Sequence, residues 1–314
     1  MIVTERVEDL APLGRPLAIA PGVFDGCHLG HRAVFDLLRR EAEPLGAAPV
    51  IVTLDPHPLE ILRPQDAPSL LTTRAERVDL LAESSPAAIL VHAFRRETAM
   101  LTASEFLRAI VPSPLRLALL VVGFDFRMGR DRTGGFEELS ALGKEEGFRV
   151  VRAEPAIANG EPISSTRIRG LLKQGQIRAA TELLGHRYRI QGQVVRGRGI
   201  GRTLDYPTAN VDGEDGRKLL PLPGVYAVLA KVLEEGGALR PGVMNIGTRP
   251  TFGLEELKIE VHFPGFDGDL SGCTLRIEIV DRIRDEKRFP GPEELRKRIA
   301  LDVEVARKIL QGVT

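Results

Sequence analysis

From residue 16 to about residue 155, short apolar runs alternate with segments of helical period, and no other feature constrains the fold of this chain as tightly. The strand candidates are Leu17 to Val23, Pro49 to Leu54, Ala87 to His92, Leu117 to Gly123 and Phe148 to Ala153. Each is too short for a buried helix and is bounded by Pro, Gly or polar residues. Between them, His31 to Glu43, Thr73 to Glu83, Ala103 to Val111 and Gly135 to Glu146 carry apolar residues three and four apart, as at Val34, Leu37 and Leu38. This alternation predicts an α/β fold with a mostly parallel, doubly wound sheet, whose ligands sit at the carboxyl ends of the strands.

The pattern changes near Gly185. Two short helical stretches, Thr166 to Lys173 and Ile177 to Leu184, are followed by period-two strand candidates at Tyr188 to Val195, Val225 to Val232, Lys258 to Phe263 and Thr274 to Val280. Gly and Pro clusters separate these strands, and one terminal helix follows at about Pro292 to Leu310. Such a run predicts a small antiparallel β-barrel with a C-terminal helix. The expected domains are therefore 1–185 and 186–314, and 314 residues are enough for each to bury its own core.

The 43 basic and 43 acidic residues cancel, so no global field draws the chain to nucleic acid or to an anionic membrane. No apolar run approaches the roughly 20 residues that span a bilayer, and the first residues lack the basic-then-apolar pattern of a secretion signal. A soluble, cytoplasmic protein is expected. Cys27 and Cys273 have no metal-ligand spacing around them and are read as free thiols.

Three segments of the first domain bear on chemistry. Gly22-Val23-Phe24-Asp25-Gly26-Cys27-His28-Leu29-Gly30-His31 follows the first strand and opens the first helix. Its glycines permit close backbone approach to a ligand, and the helix N-terminus offers unpaired N–H groups to an anion. His28 and His31 either donate to phosphate oxygens as pyrophosphate leaves, or serve only as a cap and a surface residue. Ser164, Ser165 and Thr166 stand at a helix start before Arg167 and Arg169, as helix caps or as a triphosphate site. Asp125, in Val122-Gly123-Phe124-Asp125-Phe126-Arg127-Met128-Gly129, is either a turn residue or a ligand contact at a strand's carboxyl end.

Together, the patterns G-x-F-D-G-x-H-x-G-H, V-G-x-D-F-x-x-G and I-S-S-T-x-I-R closely resemble the adenylyltransferase half of the prokaryotic bifunctional riboflavin kinase/FAD synthetases. Leu54-Asp55-Pro56-His57-Pro58 and Leu71-Thr72-Thr73 are similar to that family as well. The resemblance implies attack of the FMN phosphate on the α-phosphorus of ATP, with His28 and His31 catalytic. It implies nucleotide contacts at Gly22, Phe24, Gly30, Asp125, Ser164, Ser165, Thr166 and Arg169.

In the second domain, Gly197-Arg198-Gly199-Ile200-Gly201-Arg202-Thr203 has the wrong glycine spacing for a dinucleotide fingerprint and no helix after it; a phosphate-covering flap fits better. Thr208 and Asn210 stand two residues apart, on one face if extended, and are either hard neutral ligands for Mg²⁺ or part of a turn and strand. Alternation in Lys258-Ile259-Glu260-Val261-His262-Phe263 puts Glu260 opposite Ile259 and Val261, exposed or looking into a barrel mouth.

G-R-x-L-x-x-P-T-A-N, P-G-V-Y-A-V, N-I-G-T-R-P-T-F and I-E-V-H, with Arg284, Phe289 and the final helix, resemble the riboflavin kinase module. That resemblance implies Glu260 as the base for a riboflavin hydroxyl, Thr208 and Asn210 on Mg·ATP, Gly197, Gly201 and Thr203 at the nucleotide, and Arg284 and Phe289 at the flavin. The implied small molecules are riboflavin, FMN, FAD and ATP, with Mg²⁺. The chain departs from the family's usual pattern at Asp205-Tyr206 and at Ser271. The competing readings are an adenylyltransferase with a weakened kinase barrel and a non-catalytic flavin or nucleotide sensor.

Overall fold

The computed structural model describes residues 1–196, 206–213, 216–234, 236, 238–251 and 254–313. The chain divides into two compact units, Met1–Ser165 and Thr166–Thr314.

The first unit is built on a six-stranded, wholly parallel sheet in the order β1-β4-β3-β2-β5-β6. Its strands are β1 (Ile2–Thr4), β2 (Leu17–Gly22), β3 (Ala48–Asp55), β4 (Ala88–Ala93), β5 (Leu117–Val122) and β6 (Arg149–Arg152). Helices α1 (Leu29–Ala42), α2 (Pro58–Leu62), α3 (Arg74–Ala82), α4 (Arg96–Met100), α5 (Ala103–Ile110) and α6 (Phe136–Glu146) lie between the strands. Alternation along β2 divides the core. Ala18 and Ala20 meet Val34, Phe35 and Leu38 of α1 and Leu80 and Leu81 of α3. Leu17 and Ile19 meet Phe106, Leu107 and Ile110 of α5 on the other face. Both faces of β2 are covered, which is why its sequence is a continuous apolar run. Strand order reverses at β2, so the carboxyl ends of β2 and β5 open the crevice where a doubly wound sheet takes its ligand. A small hairpin, β7 (Ile157–Ala158) and β8 (Glu161–Pro162), follows the sheet.

In the second unit, α7 (Ser165–Lys173, its first residue counted with the first unit) and α8 (Ile177–Leu184) precede the barrel. These helices group with the barrel, whereas the sequence analysis assigns them to the first domain. The reason is local: α8 lies against β9 (Tyr188–Val195) and β14 (Thr274–Asp285), and the Leu222 N–H donates to the Leu172 carbonyl at 3.1 Å. The turn between them is Gly175, left-handed at φ 72°, where a Cβ would sit 2.8 Å from Arg282 Cδ.

With β10 (Thr208–Asp212), β11 (Gly224–Val232), β12 (Arg240–Thr251) and β13 (Leu254–His262), β9 and β14 close an antiparallel barrel in the order β10-β13-β12-β11-β14-β9. Closure between β9 and β10 requires Gly192, because a Cβ there would overlap the Asp212 carbonyl. Tyr226, Val228, Ile190 and Ile277 are fully buried. Val225, Ala227 and Leu229 of β11 pack instead with Ala306 and Leu310 of the terminal helix α9 (Pro292–Leu310).

Candidate active sites

The segment after β2 is shaped by its own side chains. Phe24 takes a left-handed φ of 53° and is 5% exposed, with its ring edge-on to His31 at 5.2 Å and to Phe35 at 4.8 Å. Gly22 makes room for that ring, since a Cβ would lie 2.7 Å from Phe24 Cζ. Gly30 does the same for His28, whose ring atoms would lie 3.1 Å from a Cβ. The sequence analysis assigns these glycines to ligand approach; in the structure their missing side chains also make room for Phe24 and His28.

His28 is the N-cap of α1, and its Nδ1 accepts the His31 backbone N–H at 3.4 Å. In the neutral ring the proton therefore sits on Nε2. The two imidazoles stack, and burial, reinforced by the nearby His28, holds His31 well below the usual histidine range. His31 Nδ1 is buried without a hydrogen-bond partner. A second strand of support comes from Asp25, whose carboxylate accepts the Leu71 and Thr72 N–H groups and the Thr72 hydroxyl, each at 2.9 Å. The Ser165 hydroxyl donates to the Asp25 carbonyl at 2.9 Å, which ties the start of α7 to this loop. Asp125 is exposed just beyond the carboxyl end of β5. Ser164 is half-buried, while Thr166 is exposed and Arg169 half-buried on α7 in the second unit.

The barrel brings its candidates together by register. Asn210 on β10 and Asn245 on β12 both stand directly across from Glu260 on β13, one on each side. Cross-strand neighbours share a face, so a carboxylate is flanked by two amides. Glu260, Asn245, Thr208, Arg284 and Phe289 line one cavity of about 550 Å³, whose wall is completed by Leu295 and Ile299 of α9. Thr208 also lines a second cavity of about 390 Å³ with Asn210, Phe263, Phe266 and Ser271. Thr208 therefore stands where the two spaces meet. Gly197, Gly201 and Thr203 lie outside the described residues, as does Asp205.

Arg284 has a prior commitment. Its guanidinium holds Asp302 of α9 through Nε and Nη2 at 2.7 to 3.0 Å, and its charge lies over the Phe289 ring at 5.6 Å. Arg298 grips the same carboxylate at 3.0 Å. The side chain expected at a flavin thus also anchors the terminal helix. Ser271 folds back, its hydroxyl donating to Asp269 at 2.6 Å. The ring of Tyr206 meets His262 edge-on at 5.2 Å.

Sequence reasoning gave no role to Asp25, Asn245, His262 or Asp302. Asp302 was within reach of it: it is spaced four and eight residues before Ala306 and Leu310, on the buried stripe of α9. For Asn245 only strand register supplies the signal.

Thr208 and Asn210 offer neutral oxygens, and among the described residues no group of three His, Cys, Asp or Glu forms a metal cage. Such a donor set fits Mg²⁺ shared with nucleotide phosphates and water, which rarely uses an all-protein cage.

Comparison with known proteins gives matches to both halves. The FAD synthetase family model matches residues 12–167 and the riboflavin kinase model residues 184–310. A bifunctional riboflavin kinase/FMN adenylyltransferase of Escherichia coli K12 is 39% identical over 293 residues, covering 93% of this chain and 92% of that protein. One from Pseudomonas fluorescens is 36% identical over 310 residues, covering 98% of each. A solved structure described as a macrolide-efflux protein from Streptococcus pneumoniae matches with a TM-score of 0.83 at 29% identity, covering 98% of each chain. Among the described residues no helix is long and apolar enough to cross a membrane.

Proposed function

The chain belongs to the bifunctional riboflavin kinase/FMN adenylyltransferase family, and from that premise we propose how its residues divide two successive reactions. The protein phosphorylates riboflavin with ATP to FMN, then adenylylates FMN with a second ATP to FAD and pyrophosphate. We assign adenylyl transfer to residues 1–185 and phosphorylation to residues 186–314. The family models support this division, since one ends at residue 167 and the other begins at residue 184.

In the kinase step Glu260 accepts the proton of the riboflavin hydroxyl as that oxygen attacks the γ-phosphorus and ADP leaves. The observation that carries this reading is the register of Asn210 and Asn245 on either side of Glu260, at the wall of the larger cavity. That register puts the two amides beside the carboxylate, where they would fix its direction. Thr208 and Asn210 would hold Mg²⁺, which when bound neutralises charge on the ATP phosphates. We place the flavin in the larger cavity, against Phe289 and Arg284, and the nucleotide in the smaller one. Gly197, Gly201 and Thr203 are proposed to cover its phosphates.

The adenylyl step needs no protein base, because the FMN phosphate is already ionised. Its oxygen attacks the α-phosphorus, and charge accumulates on the departing pyrophosphate. Positioned donors lower that barrier. We propose His28 Nε2–H and His31 as two of them, with Ser164, Ser165, Thr166 and Arg169 at the triphosphate and Asp125 at the nucleotide. Gly22, Phe24 and Gly30 are proposed at the nucleotide, and Phe24 and the two glycines also fix the imidazoles.

One assay tests the whole reading: purified protein with riboflavin, ATP and Mg²⁺, followed by chromatographic separation of riboflavin, FMN and FAD. FMN and then FAD are expected. Absence of both products would overturn it.

A further inference from the structure

We propose that His262 is a positioning residue for the nucleotide side of the kinase site, acting on Thr208 through the Pro207 carbonyl; this rests on the assignment of Thr208 to Mg·ATP. His262 is 8% exposed, and its Nδ1 lies 2.9 Å from the Pro207 carbonyl oxygen. A carbonyl oxygen only accepts, so Nδ1 carries the proton and donates it. Thr208 is the direct cross-strand partner of His262.

The geometry matters because of what precedes Thr208. Proline fixes φ at residue 207, and the peptide plane that follows contains both the Pro207 carbonyl and the Thr208 N–H. One soft torsion, ψ of Pro207, then decides where strand β10 begins and where the Thr208 hydroxyl lies. The bond from His262 sets that torsion. It also bridges the two cavities, since His262 lines the larger and Pro207 the smaller. The Tyr206 ring holds the imidazole from the side. His262 touches neither reacting atom in this account, so its effect is on nucleotide affinity.

The test uses the full chain and three variants, Thr208→Ala, His262→Phe and His262→Asn. Binding of the Mg²⁺ complex of a non-hydrolysable ATP analogue is measured by calorimetry, alongside KM for ATP and for riboflavin in FMN formation. Two nucleotide phases are expected, and the one lost in Thr208→Ala identifies the kinase site. His262→Phe, which keeps a ring and removes the donor, should weaken that phase about tenfold. KM for ATP should rise in parallel and by more than KM for riboflavin, with adenylylation of supplied FMN unchanged. His262→Asn, whose amide stands where Nδ1 stands, should restore affinity. Unchanged affinity in His262→Phe, or a defect in His262→Asn equal to that in His262→Phe, would overturn the role of His262 while leaving the site in place. Retention of both phases in Thr208→Ala would instead remove the nucleotide-site assignment on which it rests.

Discussion

The imidazole rings of His28 and His31 stack with centroids 3.6 Å apart and planes 19° from parallel. Two imidazolium ions at that separation would repel strongly in a partly desolvated site. A doubly charged pair is therefore disfavoured, and in the proposed adenylyl step the rings would serve as neutral donors or with a single shared charge. His28 is oriented by the bond that its Nδ1 accepts, and His31 by the edge of Phe24.

Burial is the larger cause of the lowered His31 pKa and His28 the smaller. His28→Gln should raise the His31 titration midpoint, read by NMR of the imidazole protons, without restoring the ordinary value. The sign for stability follows. Below about pH 6.5 the unfolded chain takes up a proton that folded His31 refuses, so this group costs nothing above that pH and destabilises the fold progressively below it. Thermal unfolding of His31→Gln should lose part of that acid sensitivity.

Joint replacement His28→Ala and His31→Ala should slow adenylyl transfer by about 10²- to 10³-fold, by removing donors at the leaving pyrophosphate. Phosphorylation should continue. Supplied with riboflavin and ATP, this variant should accumulate FMN on chromatography.

Glu260→Gln should produce the converse, with FMN formation reduced by about 10²- to 10⁴-fold and FAD formation from supplied FMN unchanged. The amide keeps the shape between Asn210 and Asn245 and removes only the proton acceptor. Loss of both activities in folded protein would refute the division into two sites.

Asp302 is buried between Arg284 and Arg298. Asp302→Ala leaves Arg284 and Arg298 without their shared carboxylate and should cost the barrel about 3 kcal/mol, measured by denaturant unfolding. Flavin affinity should fall as well, since Arg284 is held under Phe289 by this carboxylate.

Cys27 is 2% exposed and its thiol pKa is raised far above the usual range by burial, whereas Cys273 is partly exposed. A thiol reagent at pH 8 should titrate one cysteine in the native protein and two after denaturation.

The sheet of the first unit was legible because every central strand is covered on both faces and so reads as a short apolar run between amphipathic helices. Barrel strands gave less away. The sequence analysis did not find β12, because Pro241, Gly242, Gly247 and Pro250 look like turn residues although the strand runs from Arg240 to Thr251. It offered β10 as a strand only as one of two readings, since five residues after a proline carry little periodicity. At the sites, residue identities were visible and neighbourhoods were not. Asn245 flanks Glu260 only through the pairing of β12 with β13, which no local spacing reveals. Gly22 and Gly30 were recognised as special positions, but the second reason for them was not. Their absent side chains are filled by Phe24 and His28, a relation that needs three-dimensional distances.

Helix α7 opens at Ser165, bonded to the loop that carries His28, and by Leu172 is bonded to the segment leading into β11. A fragment cut after Gly185 would therefore carry α8 without the strands β9 and β14 that cover it, whereas a cut after Ser165 would leave both helices with the barrel. The longer fragment would then expose Ile177, Ala180, Leu183 and Leu184, an apolar stripe that favours aggregation.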